Sequence, residues 1–105
     1  PPHALQIWCA DMWAVLWNLW FFDREVRVTD KMSFSWATSG IQEWDKHPIF
    51  HNAGVTSDRK DLFFKGAYMS QLPYNTIESQ IYNTNFCSFN YIQEIKKTKQ
   101  ISCLV

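Results

Sequence analysis

The stretch at residues 5–22, LQIWCADMWAVLWNLWFF, constrains most strongly what this chain can fold into. It carries four of the six tryptophans and only three polar side chains, Gln6, Asp11 and Asn18. At 100° per residue, Trp13, Trp17 and Trp20 fall within about 60° of one another, with Asp11 and Asn18 on the opposite side. This describes a helix that is apolar nearly all round, with one narrow polar seam, and helices of that kind are normally buried. The expectation is a central tryptophan-rich helix covered by the residues that follow it. A buried carboxylate costs several kcal/mol unless it is compensated. Asp11 therefore reads as the helix N-cap, or as a cap that also faces a cleft. Asp11 and Asn18 interrupt a run already shorter than the ~20 apolar residues of a membrane span, so no transmembrane segment is expected. A surface-lying membrane helix would carry Lys or Arg on its other face, and this one carries none.

The 105 residues suffice for one domain at most, and an aromatic content of 17% demands a packed core rather than disorder. Ten basic and ten acidic residues cancel. No cationic excess exists to displace counterions from phosphates, which argues against nucleic acid as a partner. Cys9, Cys87 and Cys103 are widely spaced and form no metal-ligand motif, which fits a reducing, cytoplasmic setting, with one disulfide plus one free thiol as the alternative. The chain opens Pro1-Pro2-His3 without an initiator methionine or a leader pattern, so it reads as a piece of a longer protein. With three glycines in all, neither GxGxxG nor GxxxxGK[ST] is present.

Downstream of Asp23-Arg24, which break the helix, residues 25–28 alternate polar and apolar as a strand does. Residues 32–37 form a second candidate strand with Phe34 and Trp36 on one face, followed by a single helical turn at 41–45. Pro48 opens a strand over 49–52, a position proline tolerates. Residues 62–65 form another short strand closed by Gly66, residues 76–85 are irregular, and 89–99 form an amphipathic helix with Lys96, Lys97 and Lys99 at its negative end. The expected class is α/β, with α+β as the variant: a central helix, short strands in a mixed sheet, and a C-terminal helix.

His51-Asn52-Ala53-Gly54 is the most chemically suggestive tetrad. A histidine and an amide leave the end of a strand where a glycine lets the backbone bend, a place where cations and diphosphates are approached by side chains and backbone N–H groups together. A hydrogen-bonded structural histidine is the plain alternative.

The order ADMWAVLWN (10–18), FSWAT (34–38), IFHNAG (49–54), FFKGxY (63–68) and LPYN (72–75) resembles the C-terminal part of bacterial GT-A-type glycosyltransferase-like proteins. The retaining branch that includes glycogenin is the nearest pattern. The resemblance covers most of the chain and implies a larger GT-A-like fold acting on a nucleotide-sugar and a sugar acceptor. It implies His51 as a ligand to Mn²⁺ or Mg²⁺ and Gly54 as the close-approach glycine. Asp11 is then the catalytic-side carboxylate near donor or acceptor, with Asn52, Lys65 (or Lys60) and Trp36 contacting substrate. Val55-Thr56-Ser57 stand where that branch has a lysine and a Pro-Trp pair. The Asp-x-Asp that completes the metal site and the nucleotide-binding half are absent from these residues. One histidine does not hold a hard cation, so the chain alone is expected to be inactive.

From a different class, the same aromatics fit a non-catalytic module that binds carbohydrate or a partner protein, with Trp36 and Trp44 either stacking on sugar or buried in the core. Ser33, Ser35, Asp45 and His47 include the residue types of a hydrolytic triad without defining its geometry. Glu43 and Asp45 read as solvated carboxylates. Apolar surface left over from a larger fold would promote self-association.

Overall fold

A computed structural model describes residues 9–103. The described chain is mixed helix and strand, a broad α/β arrangement of two helices and one two-stranded parallel sheet: α1 (Ala10–Phe21), β1 (Phe34–Trp36), β2 (Ile49–His51) and α2 (Cys87–Cys103). Short 3-10 turns lie at Ile41–Glu43, Lys65–Tyr68 and Pro73–Asn75.

β1 and β2 pair in the register Phe34↔Ile49, Ser35↔Phe50, Trp36↔His51. Parallel strands need a crossover of about a dozen residues, and residues 37–48, with one 3-10 turn, supply it. Pleating then sends Ser35 and Phe50 inward and Phe34, Trp36, Ile49 and His51 outward. Ser35 is 2% exposed, whereas Phe34 and Trp36 are 43% and 40% exposed.

The core lies on the inner side, against α2. Phe63, Ile77 and Ile92 are buried together, with Tyr68, Tyr82, Tyr91 and Ile95 packed around them. A run of rings connects it to the sheet. Trp44 meets Phe50 at 5.0 Å, Phe50 stacks on Tyr91 at 5.3 Å, Tyr91 meets Phe63 edge-on at 5.2 Å, and Phe63 stacks on Tyr68 at 5.1 Å. The amphipathic pattern expected over 89–99 belongs to a longer helix, whose inward stripe includes Ser88, Ile92 and Ile95 at helical spacing. Its first N–H groups would be orphans. Cys87 N–H donates to the Ser39 carbonyl (2.8 Å) and Ser88 N–H to that of Ala37 (3.0 Å). The strand-exit segment thus caps the helix. Ser88 Oγ in turn accepts the buried Phe63 N–H at 2.9 Å. Burial pushes the Cys87 thiol pKa up, and its Sγ donates to the Gly40 carbonyl.

Four expectations about the architecture are corrected. Residues 25–28 are irregular and Val28 is 99% exposed: alternation alone makes no strand where no partner takes up the backbone hydrogen bonds. Leu62 and Phe63 are buried, as a strand would require, yet irregular, because the Phe63 N–H is satisfied by a serine side chain instead of a ladder. The sheet is therefore purely parallel among the described residues, not mixed.

The fourth correction concerns α1. It is not central. No residue of α1 is buried, and among the described residues it packs against no other helix or strand to any substantial extent. Trp13, Trp17 and Trp20 are 53%, 60% and 55% exposed. The polar seam is satisfied within the helix itself: Asp11 Oδ1 accepts the Met12 N–H, and Asn18 Nδ2 donates to the Ala14 carbonyl. Cys9, not Asp11, occupies the N-cap. The C-terminus closes as a Schellman motif, with Asp23 left-handed (φ 52°), its N–H on the Trp20 carbonyl and that of Arg24 on the Leu19 carbonyl. Aspartate is among the few side chains that tolerate this conformation. Residues 5–8 of the tryptophan-rich stretch lie outside the described residues, and no described helix is long and apolar enough to cross a membrane.

One polar clasp holds the loop before Phe63 to the segment before α2. Arg59 donates twice to Asp61 (3.0 and 3.1 Å), and Asn83 donates to Asp61 through its side chain while its N–H bonds the Asp61 carbonyl. The Arg59 hydrogen bonds are the main cause holding the Asp61 carboxyl down at about 2 instead of 3.8. A depressed carboxyl stabilises the fold above its unfolded pKa, and that contribution disappears as pH falls through the folded value. Asp61→Asn is therefore expected to flatten the loss of stability between about pH 4 and pH 2, read from urea midpoints across that range. An identical acid limb in the variant would show the clasp to be without weight.

Candidate functional site

The residues singled out around the end of β2 divide between two surfaces. On the outward face of the sheet, His51 stacks on Trp36 with ring centroids 4.5 Å apart and planes 24° from parallel, and Phe34 meets both rings edge-on at 5.2–5.3 Å. The parallel register makes this cluster: Trp36 and His51 are directly paired, and Phe34 lies two residues back on the same face. Parallel sheets are ordinarily covered on both sides. Here one side carries three rings and Ile49 at the surface.

Around the strand end the backbone turns, with the Ala53 N–H on the His51 carbonyl at 2.8 Å, and Gly54 takes φ 86°. A Cβ at Gly54 would come no nearer than 3.5 Å to Thr38, so conformation rather than space requires the glycine. Beyond it opens a cavity of about 340 Å³ lined by Asn52, Gly54, Phe63, Phe64, Lys65 and Met69, among others. The Phe64 ring reaches it by lying over Gly66, where a Cβ would come within 2.4 Å of it. Lys65 also lines a second cavity of about 450 Å³ beside Tyr74, Tyr91 and Glu94.

The structure thus brings Asn52, Gly54 and Lys65 to one cavity and pairs Trp36 with His51 on another face. Asp11 stands apart, exposed on α1, and lines neither cavity. Trp44 is half-buried against Phe50, while Trp36 keeps 40% of its surface exposed. Among the described residues no three His, Cys, Asp or Glu side chains come together. His51 alone does not fit a hard divalent cation, and a manganese or magnesium ion here would need its oxygen ligands from outside these residues.

A third constellation assembles the hydrolytic residue types. His47 Nδ1 lies 2.9 Å from Ser33 Oγ, and His47 Nε2 lies 3.1 Å from Glu43 Oε2. The carboxylate is Glu43, expected from the sequence to be solvated, and not Asp45. The available signal was the i, i+4 spacing of Glu43 and His47 across one turn. Lys46 holds the other Glu43 oxygen at 2.8 Å, and these two partners, Lys46 first, keep the Glu43 carboxyl below the usual range.

Comparison of the chain with family models, curated proteins and solved structures gives no match.

Proposed function

We propose that this chain binds carbohydrate without transforming it, and that the outward face of the β1–β2 sheet is the binding surface. The observation that carries the reading is the Trp36–His51–Phe34 cluster, held by strand register yet exposed. The C–H faces of a sugar ring are apolar and match aromatic ring surface, while its hydroxyls require nearby donors and acceptors. The exposed His51 ring supplies nitrogen partners for those hydroxyls within the cluster itself.

The cavity favours a second reading, in which the chain is the acceptor-side, C-terminal portion of a GT-A-like glycosyltransferase acting on a nucleotide-sugar. Asn52, Gly54 and Lys65 converge there, and a lysine beside a bent glycine backbone suits a diphosphate. In that setting the remainder of a larger fold provides the other metal ligands around His51 and brings a carboxylate, Asp11 or another, to the sugar.

One titration separates the two. Amide spectra of the ¹⁵N-labelled chain are followed with neutral oligosaccharides and, separately, with nucleotide-sugars with and without Mn²⁺. Oligosaccharide shifts centred on residues 34–36 and 49–51, weakened at least about tenfold (~1.4 kcal/mol) by Trp36→Ala, are the expected result. Shifts confined to nucleotide-sugars and lost in Lys65→Ala transfer the assignment to the transferase reading. Saturating glycan that moves no resonance on the sheet refutes the first reading.

A further inference from the structure

The Ser33–His47–Glu43 arrangement is a product of the sheet register. Pairing Phe34 with Ile49 sets the residues just before the two strands side by side, so that His47, two positions ahead of β2, reaches Ser33 at the mouth of β1. The crossover carries Glu43 at the end of its 3-10 turn, one helical step before His47. Ser33 is fixed by its N–H on the Asp30 carbonyl at 3.0 Å, and it stays partly exposed.

The hydrogen-bond directions follow from chemistry. An ionised Glu43 only accepts, so His47 Nε2 carries the proton and donates to it. Nδ1 is then the lone-pair nitrogen, and the Ser33 hydroxyl donates to it. A serine hydroxyl pointing at an imidazole lone pair, with a carboxylate fixing the tautomer, is the relation that makes a weak nucleophile reactive. We propose that Ser33 is an activated nucleophile toward small acyl esters, with His47 as its general base and Glu43 as a positioning residue. Glu43 acts through the imidazole and touches no reacting atom.

The step balances with ester and water alone. Ser33 Oγ forms a bond to the acyl carbon while its proton passes to His47 Nδ1. The carbon–oxygen bond to the leaving alcohol breaks, and the alcohol departs with that proton. Water then attacks the acyl-serine, giving a proton to Nδ1, and the carboxylic acid leaves as Ser33 Oγ recovers it. Neither oxidant nor metal enters. The site uses none of Trp36, Asn52 or Lys65, so it stands or falls independently of the sugar-binding reading.

The test uses the full chain with p-nitrophenyl acetate, followed by intact mass and peptide mapping. The expected result is one acetyl group on Ser33, absent in Ser33→Ala and formed at least about 100-fold more slowly in His47→Gln. Glu43→Gln should slow acetylation with an unchanged melting midpoint, because a side-chain amide can donate to Nε2 and force the proton onto Nδ1. Glu43→Asp should recover part of the rate. A measurement on the unaltered chain holds even if a variant fails to fold: ¹⁵N shifts of His47 should report the Nε2–H tautomer. Acetyl groups on lysines alone, an equal rate in folded His47→Gln, or the Nδ1–H tautomer would overturn the proposal and leave these bonds as a clasp between β1 and its crossover.

Discussion

Ile92→Ala is expected to abolish cooperative folding of the α2–sheet body or lower its stability by about 2–5 kcal/mol, the usual range for removing a buried isoleucine. Ile92 is 0% exposed and is one of three residues, with Phe63 and Ile77, at the centre of the core. Small domains have only about 5–15 kcal/mol in hand. This one relies on few fully buried apolar side chains: Ala37, Leu62, Phe63, Ile77, Cys87 and Ile92 are those below the surface among the described residues. The cavity cannot be relieved cheaply, because Ser88, one turn earlier, is tied to Phe63 and Ala37 by hydrogen bonds that hold α2 in place. Ile101, on the same helix but 63% exposed, serves as the internal control, and Ile101→Ala should stay within about 0.5 kcal/mol of the parent. Urea melts followed by circular dichroism decide the matter. Equal midpoints for Ile92→Ala and the parent would mean that the core lies elsewhere.

Replacing Trp13, Trp17 and Trp20 together by Gln should have the opposite profile, with little effect on the melt and a large one on assembly. Three core tryptophans would be costly to lose, but these are more than half exposed, and among the described residues α1 packs on no other element to any substantial extent. The three rings form one apolar face of α1, and the opposite face carries an apolar groove of its own beside Ala14, Val15, Leu19 and Phe22. Surfaces of this kind drive association. Full burial of a large apolar side chain is worth about 1.5–3 kcal/mol, and each indole is already partly covered. About 1 kcal/mol for each, roughly 3 kcal/mol in all, corresponds to about a hundredfold in association constant. Sedimentation velocity over a concentration series is expected to show self-association of the parent and a monomeric triple variant, with unchanged melting midpoints. A lower midpoint in the variant would place α1 in the core, and an unchanged assembly state would free these rings from any role in association.

Much of the local structure was legible because it is encoded within a few residues. The tryptophan-rich helix and its break at Asp23, the placing of Phe34 and Trp36 on one face, the short turn after Gly40, the strand opened by Pro48, and the amphipathic C-terminal helix all follow from periodicity and breakers. The strand reading of residues 25–28 and 62–65 failed for a common reason. A strand is completed by a partner's backbone, and alternation or apolarity in one segment cannot supply it. The candidate site was half legible. Asn52, Gly54 and Lys65 were separately suggestive, but only the fold places them on one cavity. Glu43 was not legible as a site residue because its partners, His47 and Lys46, follow it on the turn, while the group that gives the trio its chemistry, Ser33, comes from ten residues earlier.

By itself, then, the sequence determined the two α-helical segments, where the first of them stops, and that Phe34 and Trp36 share a face, since these depend on side-chain spacing and backbone preference over a turn or two. α2 runs on to Cys103, so Lys96, Lys97 and Lys99 do not lie at its end. Tertiary structure alone decided that the most apolar helix lies outside the core. It also decided that β1 and β2 run parallel in a register that stacks Trp36 on His51 and sets His47 against Ser33. The physical reason is that burial and pairing are properties of two surfaces meeting, and hydrophobicity along one segment records only the demand for a partner, not which surface meets it.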